Sequence, residues 1–316
     1  MINSKVHSAQ PLHIALAVDG SEHALAAALL IRDLSLSPGS KVTLLAVLTP
    51  QQTPGRAALL AATDRVRGIL QDRAAEVRSG LLHGQPAQEL SGFANEHKSD
   101  LLVLGAKGLR ATLGFLLGGV VQQVVEHARC PVLVVRAPYT GVRRVLLVTD
   151  GSSHSRRALE YLAHFPLPDD VEARVMHVLP PQQPIVPESA RPAPTRPFGS
   201  EIPPSPQVYE AAEQTIAQQA EAEERAGQAL LNESVEALKA AGVEATGVLA
   251  RGDAATEIVE YAKTNAIDLI VAGSRGLAVV KGWLMGSVSR KLVHYAPCSV
   301  LIVREGLDAG EDSIER

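Results

Sequence analysis

Residues 268–290 read DLIVAGSRGLAVVKGWLMGSVSR. The opening DLIVAG is a short apolar run ending in glycine, as expected of a strand buried on both faces of a parallel sheet. The closing residues start SVSRKLVHYA, which reads as a helix. Between them Gly273 and Gly276 stand three apart, nine residues follow, and then come Gly286 and Ser287, with Ser289 two further on. An earlier stretch, GAKGLRATLGFLLGGVVQQVV at 105–125, keeps Gly105, Gly108 and Gly118 at the same spacing. The repetition extends outward. IALAVDGSEHA from residue 14 echoes VLLVTDGSSHS from 145, and CPVLVVR at 130–136 echoes CSVLIVR at 298–304. Asp19 to Asp150 and Val47 to Val178 are both offset by 131, whereas Gly105 to Gly273 and Cys130 to Cys298 are offset by 168. Both halves therefore hold the same elements in the same order. The difference between the two offsets puts 37 extra residues in the second half, between Val178 and Gly252.

Each half alternates strand and helix patterns. HIALAV, KVTLLAVL, EVRSGLLHG, DLLVLG and PVLVVR are the strands of the first; RVLLVT, ARVMHVL, ATGVLARG, DLIVAG and SVLIVR are those of the second. Helical patterns such as SEHALAAALLIRDLS and AATEIVEYAKTNA supply right-handed crossovers. The expected fold class is α/β, with two tandem doubly wound five-stranded parallel-sheet domains at 1–138 and 141–306 and an acidic tail at 307–316. Residues 180–206 hold ten of the chain's 20 prolines and read as an extended loop. The following VYEAAEQTIAQQAEAEERAGQALLNESVEALKAA reads as a long helix whose first turns are polar on most faces and project from the body. RAALLAATDRVRGILQDRAAEV is its shorter counterpart.

With 316 residues, 46% hydrophobic and 20% charged, the chain is a globular protein with ample core material. Aromatics are 3%, so the core is built from Ala, Val, Leu and Ile. A net charge of -4 argues against a nucleic-acid coat or a membrane-surface binder. No apolar run approaches the ~20 residues a bilayer needs, and no export signal is visible. Two cysteines are too few for a disulfide scaffold and fit a cytoplasmic location.

In open parallel sheets ligands bind beyond the carboxyl ends of strands, where strand order reverses. That singles out Asp19 and Gly105 in one half, Asp150 and Gly273 in the other. Glycines there let backbone N–H groups approach phosphate oxygens, and the first turn of SVSRKLVHYA offers free N–H groups and the positive end of a helix dipole. The hydroxyls of Ser287 and Ser289 add hydrogen bonds, and Arg275 a positive charge. Each residue alone also fits a structural role: a tight turn for Gly273 and Gly276, an N-cap for Ser287, a helix cap for Asp150.

The spacing Gly–two–Gly–nine–Gly–Ser, with the strand–DGS–helix openings and the closing C[PS]VL[VI]VR strands, resembles the ATP-binding pattern of the universal stress protein family, over essentially both halves. The resemblance implies an adenine nucleotide alpha hydrolase-like fold and a site for ATP. It places Asp150 and Val178 near adenine and ribose, with Ala272 and Gly273 bordering that region. Arg275 and Gly276 approach the ribose and phosphates, while Gly286, Ser287, Val288 and Ser289 hold the phosphate tail. With no dedicated metal cluster in the sequence, Mg²⁺ is expected to be mostly phosphate-bound.

In the first half Gly119 replaces Ser287 and Val121 replaces Ser289, so both hydroxyls are gone and Val121 is expected to face the phosphate position. Lys107 stands in for Arg275. The expectation is one competent and one degenerate site. Matching His23 and His154 read as first-turn helix residues, Cys130 and Cys298 as buried small residues, and Trp283 as a ligand cover or a loop anchor. The family's edge-to-edge use of the last strand implies an intramolecular pseudo-dimer through PVLVVR and SVLIVR, and further assembly into a homodimer. The function so implied is a cytoplasmic ATP-binding regulator of stress tolerance that signals to a protein partner. The alternatives are a slow ATPase or phosphoryl- or adenylyl-transfer enzyme, and a scaffold that works by dimerisation alone.

Overall fold

The apolar runs become strands and the 3.6-periodic segments become helices in a computed structural model, which describes residues 10–49, 55–71, 76–108, 117–182, 206–277 and 285–304, with 206–213 given by backbone alone. The first half contains β1 (His13–Ala17), α1 (Glu22–Asp33), β2 (Lys41–Leu48), α2 (Gly55–Leu70), β3 (Glu76–His83), α3 (Pro86–Glu96), β4 (Leu101–Gly105), α4 (Gly119–His127) and β5 (Val132–Val135). The second contains β6 (Arg144–Val148), α5 (Ser153–His164), β7 (Glu172–Leu179), α6 (Pro206–Ala240), β8 (Glu244–Arg251), α7 (Ala254–Thr264), β9 (Leu269–Gly273), α8 (Ser287–Tyr295) and β10 (Ser299–Val303). The α2 helix is shorter than its sequence pattern: Glu76 and Val77 already belong to β3, in register with Lys41 and Val42.

One ten-stranded sheet runs in the order β3-β2-β1-β4-β5-β10-β9-β6-β7-β8. Pairing is parallel within each half. The halves meet where β5 and β10 pair antiparallel, with Val134 opposite Val300 and Leu133 opposite Leu301. The closing strands thus join intramolecularly, as a two-domain pseudo-dimer requires. Alternation along this pair feeds both faces. Leu133, Val135, Leu301 and Val303 enter the core beneath α1, α2, α5 and α6, and Val132, Val134, Val300 and Ile302 enter the core beneath α3, α4, α7 and α8.

Two arginines lock the junction. Arg136 follows β5 and donates through Nη2 to the Val293 and His294 carbonyls, both at 3.0 Å, at the C-terminus of α8. Arg304 follows β10 and donates to the Ala128 and Glu126 carbonyls, at 2.9 and 2.8 Å, at the C-terminus of α4. Each half supplies the cation that satisfies the orphan carbonyls of the other half's last helix.

The long α6 helix is solvent-exposed on most positions from Gln214 to Ala226 and buried on one face from Gly227 onward. Arg251 on β8 reaches Glu223 at 2.9 Å and anchors it there. The proline-rich loop, apart from 180–182 and the start of α6, lies outside the described residues, as do Trp283 and the acidic tail.

Candidate functional site

The order of strands within each half brings β1 beside β4 and β6 beside β9, with connections leaving in opposite directions. The crevice beyond the β6 and β9 ends is walled by Asp150 and the segment from Gly273 to Leu277. Asp150 Oδ1 accepts from the Ser152 N–H at 3.0 Å, a local turn that sets up α5. Ser152 Oγ then accepts from the Ser155 N–H at 3.2 Å and caps that helix. Asp150 Oδ2 accepts from the Leu277 N–H at 3.1 Å, so one carboxylate ties the end of β6 to the loop after β9.

This contact explains Gly276 differently from the sequence reading. A Cβ there would lie 2.5 Å from Asp150 Oδ2. Gly108 has the same relationship to Asp19, at 2.7 Å. A Cβ on Gly273 would lie 2.6 Å from the His154 carbonyl carbon and oxygen, and one on Gly105 would lie 2.7 Å from the His23 carbonyl carbon. These glycines therefore carry a packing role of their own beside the one expected of them. Their missing Cβ atoms let the helix N-terminus and the aspartate pack against the strand end, which is why both halves keep them.

At α8 the picture divides by helix face. Gly286 is the N-cap and offers no side-chain acceptor; its own N–H donates to the Ser274 carbonyl at 2.8 Å, which folds the loop back beside Arg275. The first-turn N–H groups of Ser287, Val288 and Ser289 have no partner within the helix. Ser287 is exposed and Val288 half-buried. Ser289 is only 5% exposed, and its Oγ donates to the Gly273 carbonyl at 2.7 Å. The expected Ser289 hydroxyl contact to phosphate is therefore corrected: its single proton is used on the strand end. Ala272, at 4% exposure, packs its side chain in the core under α7 and α8, so only its backbone can border a ligand. Val178 is half-buried one strand further out on β7, and no hydrogen bond of its side chain is possible to draw it toward Asp150.

The first half repeats the frame. Gly118 is the N-cap of α4, again without a side-chain acceptor, and its N–H donates to the Ala106 carbonyl at 3.1 Å. Val121 is 3% exposed and lies in the core beside Val124 and Val125. The expectation that it faces the phosphate position is overturned, because the third helical residue points inward in both halves. What separates the two crevices at this helix start is Ser287 against Gly119, an exposed position in both.

Several contributors escaped the sequence reading. Thr149 Oγ1, Ser152 Oγ and Ser155 Oγ form a buried hydroxyl cluster beneath Asp150, with 3.4 Å spacings. His23 is more than a first-turn surface residue: its Nδ1 accepts from the Ala137 N–H at 2.9 Å, and burial lowers its pKa below the ordinary value. The arginine pair was visible as a repeat, since both closing strands end in Arg at the same offset. Cys130 and Cys298 are buried, and burial pushes their thiols up to about 11 and about 12. Among the described residues no three His, Cys, Asp or Glu side chains gather as metal ligands, and no helix is long and apolar enough to cross a membrane.

Comparison with known proteins places this geometry in a wider set. The model of the universal stress protein family matches residues 12–136 and again 141–304. A universal stress protein of Thermus aquaticus is 34% identical over 136 residues, covering 39% of this chain and 97% of the relative. One from Bacillus subtilis is 29% identical over 161 residues, covering 51% and 98%. The crystal structure of a universal stress protein from Archaeoglobus fulgidus superposes with a TM-score of 0.61 at 17% identity, over 95% of this chain and 98% of the other. At that identity the likeness speaks for the fold.

Proposed function

This chain belongs to the universal stress protein family, and we propose that within it the protein is a cytoplasmic regulator that binds ATP in the strand-end crevice of its second half. The observation that carries this reading is the start of α8. Where α1, α5 and α7 are capped by Ser21, Ser152 and Asp253, α8 begins on Gly286 with no side-chain cap. Its orphan N–H groups at 287–289 and the exposed Ser287 hydroxyl form a donor set suited to phosphate oxygens, with the helix dipole and Arg275 adding positive potential. The donor chemistry fits the polyphosphate of a nucleotide.

In this reading Ser287 and the backbone of Val288 and Ser289 hold the terminal phosphates. Gly276 and Arg275 border the inner phosphates and ribose. Asp150, already oriented by Ser152 and Leu277, keeps a lone pair for a ribose or base donor, while Val178 and the Ala272–Gly273 backbone line the base. Mg²⁺ accompanies the nucleotide through phosphate and water, since among the described residues no carboxylate cluster gathers to serve it. The first half, at 1–138, is the weaker copy, and the second, at 141–306, carries the ligand; a nucleotide-dependent surface is then read by a protein partner. Since β5 and β10 pair with each other, any homodimer uses another surface, and the sheet edges left for it are β3 and β8. Native mass spectrometry after incubation with Mg-ATP tests the reading. One retained ATP per chain supports it, and an unchanged apo mass at millimolar nucleotide overturns it.

A further inference from the structure

The residues that follow β5 tie the first crevice to the helix that borders the second. In the first half the Ala106 N–H, just after β4, donates to the Val135 carbonyl at 2.8 Å, and the Gly118 N–H donates to the Ala106 carbonyl at 3.1 Å. His23, in the first turn of α1, closes this corner. Its backbone lies so near the end of β4 that a Cβ on Gly105 would be 2.7 Å from the His23 carbonyl carbon. Its ring turns to the chain leaving β5, where Nδ1 accepts from the Ala137 N–H at 2.9 Å. The preceding residue is Arg136. Its N–H donates to Ser299 Oγ on β10 at 3.2 Å, and its Nη2 holds the Val293 and His294 carbonyls, both at 3.0 Å.

Those carbonyls end α8, whose opposite end carries the N–H groups of residues 287–289 and the Ser287 hydroxyl. Its nine residues make a rod of about 13 Å, short enough for the two ends to move as one body. The near end is pinned to β9 through Ser289 and Gly273, and the far end is pinned by Arg136 from the other half. On the nucleotide reading of the second crevice, on which this rests, we propose that His23 of the first half is a positioning residue for that crevice: its neutral ring fixes Ala137 and Arg136 and through them α8, and a proton on the ring loosens the hold on the phosphates.

Protonation acts in two ways. Nδ1 can no longer accept, so the Ala137 N–H loses its partner. The ring also gains a positive charge beside Arg136, and the two repel. Burial is the chief cause that lowers the His23 pKa; the Val135 carbonyl favours the proton, Lys107 and Arg136 oppose it, and Glu22 favours it. The neutral, accepting ring is thus the state at neutral pH, and acidification reverses it. His294 stands at the held end of α8 and is lowered too, by burial first and then by Arg136 and Arg290, against Glu126. It is a second titrating group on the same route.

Two measurements on the full chain, at about pH 7.5 and about pH 5.5, test this. One is the hydrogen-exchange protection of residues 287–295 without ligand, corrected for intrinsic exchange. The other is the affinity for Mg-ATP. On acidification the α8 protection of the unaltered protein should fall by about threefold or more, and its ATP affinity should fall by a like factor beyond the fall seen in His23→Asn. His23→Asn, whose Oδ1 accepts at either pH, should keep its protection. The nucleotide's own titration is common to all the proteins and cancels in the comparison. His294→Asn should behave as the unaltered protein does. In an Arg136→Lys background, adding His23→Asn should change neither readout. Equal pH dependence of α8 protection in the unaltered protein and in His23→Asn overturns the proposal. So does a dependence lost in His294→Asn instead, or one that His23→Asn removes equally with Arg136→Lys in place. ATP binding that is indifferent to His23 overturns the proposal alone, whereas absence of ATP binding in every one of these proteins contradicts the nucleotide reading and the proposal with it.

Discussion

Ser289 Oγ donates to the carbonyl oxygen of Gly273 at 2.7 Å, tying the first turn of α8 to the end of β9. The residue is therefore part of the frame of the crevice, and the exposed Ser287 is the side chain left to meet a ligand. The first half fills the same inward position with Val121, which packs where Ser289 makes a hydrogen bond.

Ser289→Ala should lower stability by about 1 kcal/mol, the worth of one buried neutral hydrogen bond, and leave nucleotide affinity nearly unchanged. Ser287→Ala should do the reverse, keeping the urea midpoint while weakening ATP by roughly tenfold or more. Paired denaturation and binding curves for the two variants check this; equal losses of affinity would contradict the inward assignment of Ser289.

The strand-end glycines are predicted to be intolerant for reasons of packing. Gly273→Ala and Gly276→Ala each place a Cβ within 2.6 Å of His154 backbone or Asp150 carboxylate and should cost about 1–3 kcal/mol even without ligand. Gly119 meets nothing within 4 Å, and Gly119→Ala should be neutral or stabilising by up to about 1 kcal/mol. Urea unfolding of the three apo variants reads the difference directly.

Arg136→Ala should cost about 2–3 kcal/mol, because a charged donor leaves two α8 carbonyls at the junction unsatisfied. Arg304→Ala should behave alike at α4. Arg136→Lys should recover little, since one ammonium cannot reproduce the fixed fork of the guanidinium. Loss of a single cooperative transition in the arginine variants, followed by tryptophan fluorescence and far-ultraviolet dichroism, would show the halves separating.

His23 predicts a pH dependence. Its Nδ1 must be unprotonated to accept from Ala137, and burial, chiefly, holds its folded-state pKa below the ordinary 6.5. The unfolded chain then takes up the proton first. Stability is complete above the unfolded value and falls as the pH drops through 6.5 toward the folded value. His294, lowered by burial and by Arg136 and Arg290, adds to the same slope. His23→Asn, whose Oδ1 can take the Ala137 N–H at any pH, should flatten the melting-temperature profile between about pH 7 and pH 5. An unchanged slope would remove His23 from the account.

Much of the fold was legible because the repeat exposes itself at two levels. Matched strands at two constant offsets gave the element order, and the twin PVLVVR and SVLIVR runs gave the junction. The site was less legible, because sequence spacing does not show which way a side chain turns. Ser289 looked like a ligand residue until the helix face was known, although Val121 at the same position already hinted at an inward one. The packing role of Gly273 and Gly276 against His154 and Asp150 was legible only in their recurrence as Gly105 and Gly108. The Asp150–Leu277 bond joins residues 127 apart through a backbone N–H, and no side-chain pattern announces such a donor.

Isothermal titration of the full chain with Mg-ATP, beside Gly119→Ser, tests the central claim most directly. The account predicts one dominant site per chain in the unaltered protein, with any second site weaker by about tenfold or more, and a strengthened second site when the first half gains the hydroxyl. Two equal sites in the unaltered chain, or no binding at millimolar nucleotide, would contradict it.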